Sequence, residues 1–257
     1  MPRDLKISVV TCSYNQAEYL ERTINSVLGQ NYSNLEYIII DGASDDASVE
    51  IIKKYKNRLA YWISEPDEGQ TDALIKGFNR ASGEILCWLN SDDLFEMSTL
   101  KEVNDFFQKN PGAQVVFGDA TWMDRNDQTI KKKKEHAFNK FIWLNAYNYI
   151  PQPSTFWRKE IYKNVGGLNP SFNLAMDADL WIRFSEKTKI HHVKRPWSRM
   201  RLYPEQKNQR LRTESNREDR IIRDRYFPNR SLLLEKGLKI AARGLRVGLK
   251  VKNGCYW

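Results

Sequence analysis

The chain has 257 residues, 41% of them hydrophobic and 28% charged, with a formal net charge of +9. That size suits one large α/β domain or two small ones. No apolar run approaches the roughly 18 residues of a spanning helix, and three scattered cysteines make neither a disulfide framework nor a zinc pattern.

Charge is unevenly spread. Residues 1–130 carry 12 basic and 21 acidic side chains, and residues 131–257 carry 29 and 11. An acidic front half suits a cation-bearing site; a basic back half suits an anionic partner such as a membrane surface, a phosphorylated substrate or nucleic acid. Cys12 and Cys87 lie at or in apolar runs and read as small buried residues, so a reducing compartment is expected. The apolar run Ile7 to Val10 is too short for a secretion signal.

Lys6 to Cys12 reads as a buried strand ending in Ser13-Tyr14-Asn15-Gln16. Ala17 to Leu28 follows as a helix, with Leu20, Ile24, Val27 and Leu28 on one face. A second strand, Leu35 to Ile40, runs into Asp41-Gly42-Ala43-Ser44. Then come a helix over Ala47 to Lys56, a short strand Leu59 to Ile63, a helix Gln70 to Ala81, a strand Ile85 to Leu89, a helix Ser98 to Gln108 and a strand Val115 to Gly118. Such alternation predicts a mostly parallel sheet flanked by helices. Right-handed crossovers bring the strand carboxyl ends to one edge, where open sheets of this kind bind ligands.

Ile85 to Leu89 is strand-like and stops at Asn90-Ser91-Asp92-Asp93. Two adjacent carboxylates after a buried strand cannot both enter a core. A polar turn or helix cap accounts for them in isolation. Tyr14, Asp41 and Asp92/Asp93 all follow strand ends, however, and their convergence on one edge favours a shared site with a divalent cation.

Beyond residue 130 the pattern changes. Lys131 to Lys134 reads as a solvated face or loop, and Pro151-Gln152-Pro153 cannot be helix interior. Asp177 to Phe184 begins a helix whose acidic start suits the dipole. Residues 199–230 are highly charged and are expected to be mobile. In the last 25 residues Leu234, Leu238, Ala241, Leu245 and Leu249 share one helical face, opposite Lys236, Lys239, Arg243, Arg246 and Lys250. This basic amphipathic helix, 231–252, reads equally as a membrane-interface element or as a helix packed on the domain with a solvated basic face.

Strand-end carboxylates with a cation, and no nucleophilic triad, suit group transfer from a diphosphate leaving group, whose developing charge a Lewis acid neutralises. A separate carboxylate would deprotonate an acceptor hydroxyl. Asp177 is a candidate for that base; a helix cap is the competing reading.

Residues 6–200 resemble the family 2 glycosyltransferases of the GT-A fold. The resemblance lies in Val9-Val10-Thr11-Cys12-Ser13-Tyr14-Asn15, Ile39-Ile40-Asp41-Gly42-Ala43-Ser44-Asp45-Asp46, Asp67-Glu68-Gly69-Gln70-Thr71-Asp72-Ala73, Trp88-Leu89-Asn90-Ser91-Asp92-Asp93, Gln152-Pro153-Ser154-Thr155-Phe156-Trp157-Arg158 and Met176-Asp177-Ala178-Asp179-Leu180-Trp181. The order and spacing of six pieces carry it, since short D-x-D-like strings occur by chance.

The resemblance implies an inverting, non-processive hexosyltransferase-type enzyme. Residues 1–130 would form the nucleotide-sugar half, 131–200 the acceptor half, and 201–257 a basic helical extension. Thr11 and Tyr14 would line the base pocket, and Asp41 would accept a hydrogen bond from the base. Asp72, with Lys76, would lie near ribose, sugar or diphosphate. Asn90-Ser91-Asp92 stands at the D-x-D position, so Ser91 and Asp92 would meet the donor, and Asp92, with Asp93 beside it, would hold Mn²⁺ or Mg²⁺. Asp177 matches the catalytic base. The chain departs from the family pattern at Asn90 in place of the first Asp, at Met176 before the base, and at Tyr203 where relatives often carry a His near the diphosphate.

A dinucleotide-binding oxidoreductase is disfavoured, because the first strand does not run into G-x-G-x-x-G, and no P-loop string is present. A processive synthase would want membrane spans and a Gln-x-x-Arg-Trp string. The competing class is a catalytically degenerate nucleotide-sugar or polyanion-binding protein. Expected partners are a nucleotide-sugar donor, UDP-linked as the resemblance implies, and a glycan or lipid-linked saccharide acceptor, as in surface polysaccharide assembly. No nucleic acid is expected, since no recognition motif is present. The expected place is the cytoplasm, with the terminal helix as a means of peripheral attachment to the inner membrane face.

Overall fold

The structure, a computed structural model, describes residues 3–228 and 231–255. The front half follows the expected order, with one short strand, Leu94–Phe95, that the sequence reading did not include. It runs β1 (Ile7–Ser13), α1 (Ala17–Leu28), β2 (Leu35–Asp41), α2 (Ser48–Tyr55), β3 (Tyr61–Ser64), α3 (Gln70–Arg80), β4 (Ile85–Trp88), β5 (Leu94–Phe95), α4 (Thr99–Lys109) and β6 (Val115–Met123). After it come β7 (Thr129–Lys133), α5 (Lys140–Asn145), β8 (Thr155–Arg158), α6 (Lys159–Asn164), α7 (Met176–Lys187), β9 (Ile190–Arg201), α8 (Lys207–Arg210), α9 (Arg212–Asp224) and α10 (Leu232–Lys252).

One sheet runs β3-β2-β1-β4-β8-β6-β9-β5, with β7 paired to β6. The β1, β2, β3 and β4 ladders are parallel, as periodicity predicts; β8 then pairs antiparallel with both β4 and β6. Both faces are covered, so β1 and β4 are buried along their whole length. Helix α3 lies close on the sheet because Gly77 has no side chain; a Cβ there would come within 2.4 Å of Val10 Cγ1.

Indole rings tie the two functional elements together. Trp88 of β4 stacks on Trp181 of α7 at 5.7 Å and 17°, and Trp157 of β8 packs edge-on against both. The strand that runs toward Asn90-Asp92 and the helix that carries Asp177 in its first turn therefore share one rigid aromatic block.

Residues 199–228, the described part of the span 199–230 expected to be mobile, are instead anchored to the fold at several points, although many of their charges stay exposed. Arg201 is fully buried, with Nη1 2.5 Å from Asp127 and its guanidinium 4.5 Å above the Tyr19 ring. Glu218 of α9 accepts the backbone N–H groups of Asn173, Leu174 and Ala175, and Ile222 joins the core. The lysine run is an edge strand, a common way of blunting a sheet edge.

Helix α10 forms over the predicted span, with Ser231 Oγ accepting the Leu234 N–H. Its facing differs from the sequence reading. Ala242 and Leu249 pack inward, and Arg246 and Lys250 turn in to the buried Glu135 at 2.8 and 3.3 Å. Leu234 is 53% exposed and Leu245 42%, so part of the basic face points in and part of the apolar face points out.

Candidate active site

Two cavities open along the carboxyl edge of the parallel strands. One, of about 890 Å³, runs between the ends of β1, β2 and β3 and the Tyr203–Leu211 segment; it holds Tyr14, Asp67, Ser91 and Asp92. The other, of about 840 Å³, holds Asp177, Asn148, Trp122 and the lysines of β7, and α10 lends it Arg246 and Lys250. Gln70, Asn90 and Asn208 line both, so the cavities meet there.

Asn90 is the hinge of that junction. Its Oδ1 accepts Gln70 Nε2 at 3.0 Å, while its Nδ2 donates to Gln152 Oε1 at 3.2 Å and Asp93 Oδ2 at 3.3 Å. A carboxylate could not donate to either oxygen, which gives a physical reason for Asn at the first D-x-D position.

Asp92 and Asp93 diverge. Asp93 is buried, accepts the Arg201 N–H at 2.9 Å, and lines neither cavity. Burial pushes its carboxyl well up. It braces the turn from behind rather than facing the cleft. Asp92 does face the cleft; Tyr203 Oη donates to its Oδ2 at 3.0 Å and Gln206 Nε2 at 3.2 Å. Burial raises its carboxyl too, and among the described residues no side-chain donor reaches Oδ1. A desolvated carboxylate without an ion-pair partner among the described residues fits a hard divalent cation. No cluster of three or more acidic, His or Cys side chains stands there among the described residues, so donor phosphates would have to complete the coordination.

Asp177 sits in the first turn of α7 with Oδ2 accepting Asn148 Nδ2 at 2.9 Å and Oδ1 accepting the Ala178 N–H at 2.7 Å. Burial lifts its carboxyl to about 6, against these two hydrogen bonds. A carboxylate in a cavity with a pKa near working pH is what a general base requires.

The other predicted residues fall into two groups. Tyr14, 62% exposed, and Ser91 line the first cavity. Thr11 faces the core, with Oγ1 3.1 Å from Tyr37 Oη. Asp41 is buried and its carboxylate is taken by Ser44 N, Ser44 Oγ and Ser64 Oγ at 2.6–2.9 Å. Asp72 and Lys76 pair with each other at 3.2 Å, Lys76 also reaching Glu65, and neither lines a cavity.

Sequence reasoning missed Asp67, whose Oδ1 caps the Gly69 N–H and whose Oδ2 abuts Gly42 at the cleft floor. It also missed Gln206 and Lys207. Lys207 Nζ donates to Asn173 O at 2.9 Å, and burial lowers its ammonium. The signal for both was the turn at Tyr203-Pro204, followed by the polar run Glu205-Gln206-Lys207-Asn208.

Residues 8–166 match the model of glycosyl transferase family 2. The chain belongs to that family. This family 2 glycosyltransferase is 32% identical over 181 residues to an uncharacterized glycosyltransferase of Mycobacterium tuberculosis, covering 69% of this chain and 68% of the relative. Its fold is the GT-A fold. It matches S. aureus TarS in complex with UDP-GlcNAc at a TM-score of 0.68 and 17% identity, over 91% of this chain and 70% of that one. It matches the mannosyltransferase PcManGT from Pyrobaculum calidifontis, in complex with GDP-Man and Mn²⁺, at 0.64 and 14%, over 94% and 69%. The C-terminal helices α8, α9 and α10 accompany that fold. Among the described residues no helix is long and apolar enough to cross a membrane.

Proposed function

We propose that this glycosyltransferase moves one hexosyl group from a nucleotide-diphosphate sugar, with UDP the favoured nucleotide, to a hydroxyl of a glycan or lipid-linked acceptor in surface polysaccharide assembly. The carrying observation is that a cleft with Asp92 and a cavity with Asp177 meet at Asn90. Tyr14 offers an aromatic face to the base, and Asp67 offers a carboxylate at the cleft floor. Lys207 and Arg210 supply positive charge along the Asp92 cleft for the diphosphate.

Asp92 would hold Mn²⁺ or Mg²⁺ together with the donor phosphates. A bound divalent ion supplies Lewis-acid neutralisation of the departing diphosphate. In the chemical step the Asp177 carboxylate takes the proton of the acceptor hydroxyl. The freed oxygen attacks the anomeric carbon opposite the diphosphate, the bond from carbon to the diphosphate oxygen breaks, and configuration inverts. The exposed apolar face of α10, flanked by Lys236, Lys239 and Arg243, suits peripheral attachment to an anionic cytoplasmic membrane surface.

Calorimetric titration with UDP, with and without Mn²⁺, is the test. Micromolar, metal-dependent binding that disappears in Asp92→Asn supports the donor assignment. Failure of UDP, dTDP and GDP alike would return the chain to the polyanion-binding reading. Flotation with vesicles of phosphatidylglycerol and phosphatidylcholine tests attachment; equal flotation of the full chain and one ending at Pro228 would end the role of α10.

A further inference from the structure

The cavity that holds Asp177 is strongly cationic. Lys131, Lys132, Lys133, Lys134, Arg246 and Lys250 line it, against the carboxylates of Glu135 and Asp177. Glu135 is already matched, since Arg246 Nη2 donates to both its oxygens at 2.8 and 2.9 Å and Lys250 Nζ lies 3.3 Å away. Among the described residues no carboxylate forms an ion pair with Lys131, Lys132 or Lys134. Lys133 Nζ donates to the Tyr149 carbonyl, at 2.9 Å, and burial pulls its ammonium down to about 8.

A solvated edge strand explains exposed lysines. It does not explain a desolvated Lys133, and the pairing of Arg246 and Lys250 with Glu135 sets two cations against one carboxylate in the same concavity. Aromatic faces stand among these charges: Trp122, 5.9 Å from Lys133 Nζ, and Tyr147, 4.9 Å from the Arg246 guanidinium. Rings of this kind bind the apolar faces of sugars, and lysines are point-charge binders of phosphate. A cavity of about 840 Å³ takes a small saccharide, not a nucleic-acid duplex.

We propose that the acceptor is a phosphorylated saccharide, its sugar against Trp122 and Tyr147 and its phosphate among Lys131, Lys132, Lys134 and the inward cations of α10. This rests on the assignment of the Asp177 cavity as the acceptor side. The phosphate can be free or can link the sugar to a lipid; the recognising chemistry is the same.

The experiment is a tryptophan-fluorescence titration of the full chain in metal-free buffer with glucose 1-phosphate, glucose and glucuronate. The expected result is salt-sensitive binding of glucose 1-phosphate, weakened about tenfold or more in the triple variant Lys131→Gln/Lys132→Gln/Lys134→Gln and unchanged in Asp92→Asn. Equal binding by the triple variant, equal binding of glucose, or tighter binding of glucuronate would overturn it. A second arm offers isoprenyl-phosphate-linked glucose in phosphatidylcholine vesicles. Preference for the vesicle-borne form assigns the phosphate to a lipid linkage, and equal affinity assigns it to a soluble acceptor. UDP binding by the native chain separately tests the transferase reading. If it fails while sugar-phosphate binding stands, that reading falls and the phosphate site survives.

Discussion

The amide nitrogen of Asn90 lies 3.3 Å from Asp93 Oδ2, where a second carboxylate would face a carboxylate already raised by burial. Asn90→Asp should therefore weaken the fold. Two buried like charges at this range cost about 1–3 kcal/mol, and Gln152 Oε1 would lose its donor as well. The pH dependence has a definite sign. Asp93 has a raised folded pKa, so its stabilising contribution is present in acid and is lost as pH rises. The variant's melting temperature should approach that of the native chain near pH 5 and fall below it by several degrees near pH 8. Equal melting at both values would show that the turn relaxes around the extra charge.

Asp177 predicts both a rate profile and a stability profile. With its carboxyl lifted to about 6, transfer should rise with pH through about 6 and then level off, since the base must be ionised. Asp177→Asn should keep metal-dependent UDP binding and lose about 10²–10⁴-fold in transfer. Because the folded pKa is raised, ionisation of Asp177 weakens folding as pH climbs through that value. The variant should therefore gain melting temperature over the native chain above pH 6, but not at pH 4. Paired melts at the two pH values check the sign.

The pattern of apolar runs revealed the parallel half of the sheet, because a strand covered on both faces must be apolar throughout. The same pattern could not orient single side chains at strand ends. Thr11 and Asp41 stand where the resemblance put them, yet one binds Tyr37 and the other is enclosed by Ser44 and Ser64. Charge density misled for the described part of residues 199–230, because composition does not reveal that Arg201 finds Asp127 and the Tyr19 ring. Helical periodicity located α10 but could not foresee that Glu135, more than a hundred residues earlier, would draw Arg246 and Lys250 inward.

Asp67 and Asp41 can be told apart by experiment. Asp67 lines the cleft, whereas Asp41 does not. Asp67→Asn should weaken UDP binding about tenfold, roughly 1.4 kcal/mol, with little change in melting. Asp41→Asn removes the charge that gathers three donors at 2.6–2.9 Å, and should cost about 1–3 kcal/mol of stability. Calorimetry beside thermal melts resolves the two. A reversal, with Asp41→Asn abolishing binding in a stable protein, would mean that the Ser44 loop opens to the base.

Glu135 holds α10 in place. Its carboxylate is 1% exposed and faces Arg246 and Lys250, each about one-sixth exposed. Glu135→Gln removes the negative charge that faces both cations, and the cheapest relief is for the helix to swing its inner face to water. Ala242 and Leu249 offer little apolar contact to resist that. Amide exchange over 232–252 should therefore rise, while β1 and β4 stay protected, with about 1–2 kcal/mol lost from the helix's docking. The same variant should leave UDP binding unchanged, because α10 lines only the Asp177 cavity. Unchanged exchange over 232–252 would show that Ala242 and Leu249 suffice, and that the inward cations are kept for the ligand rather than for docking.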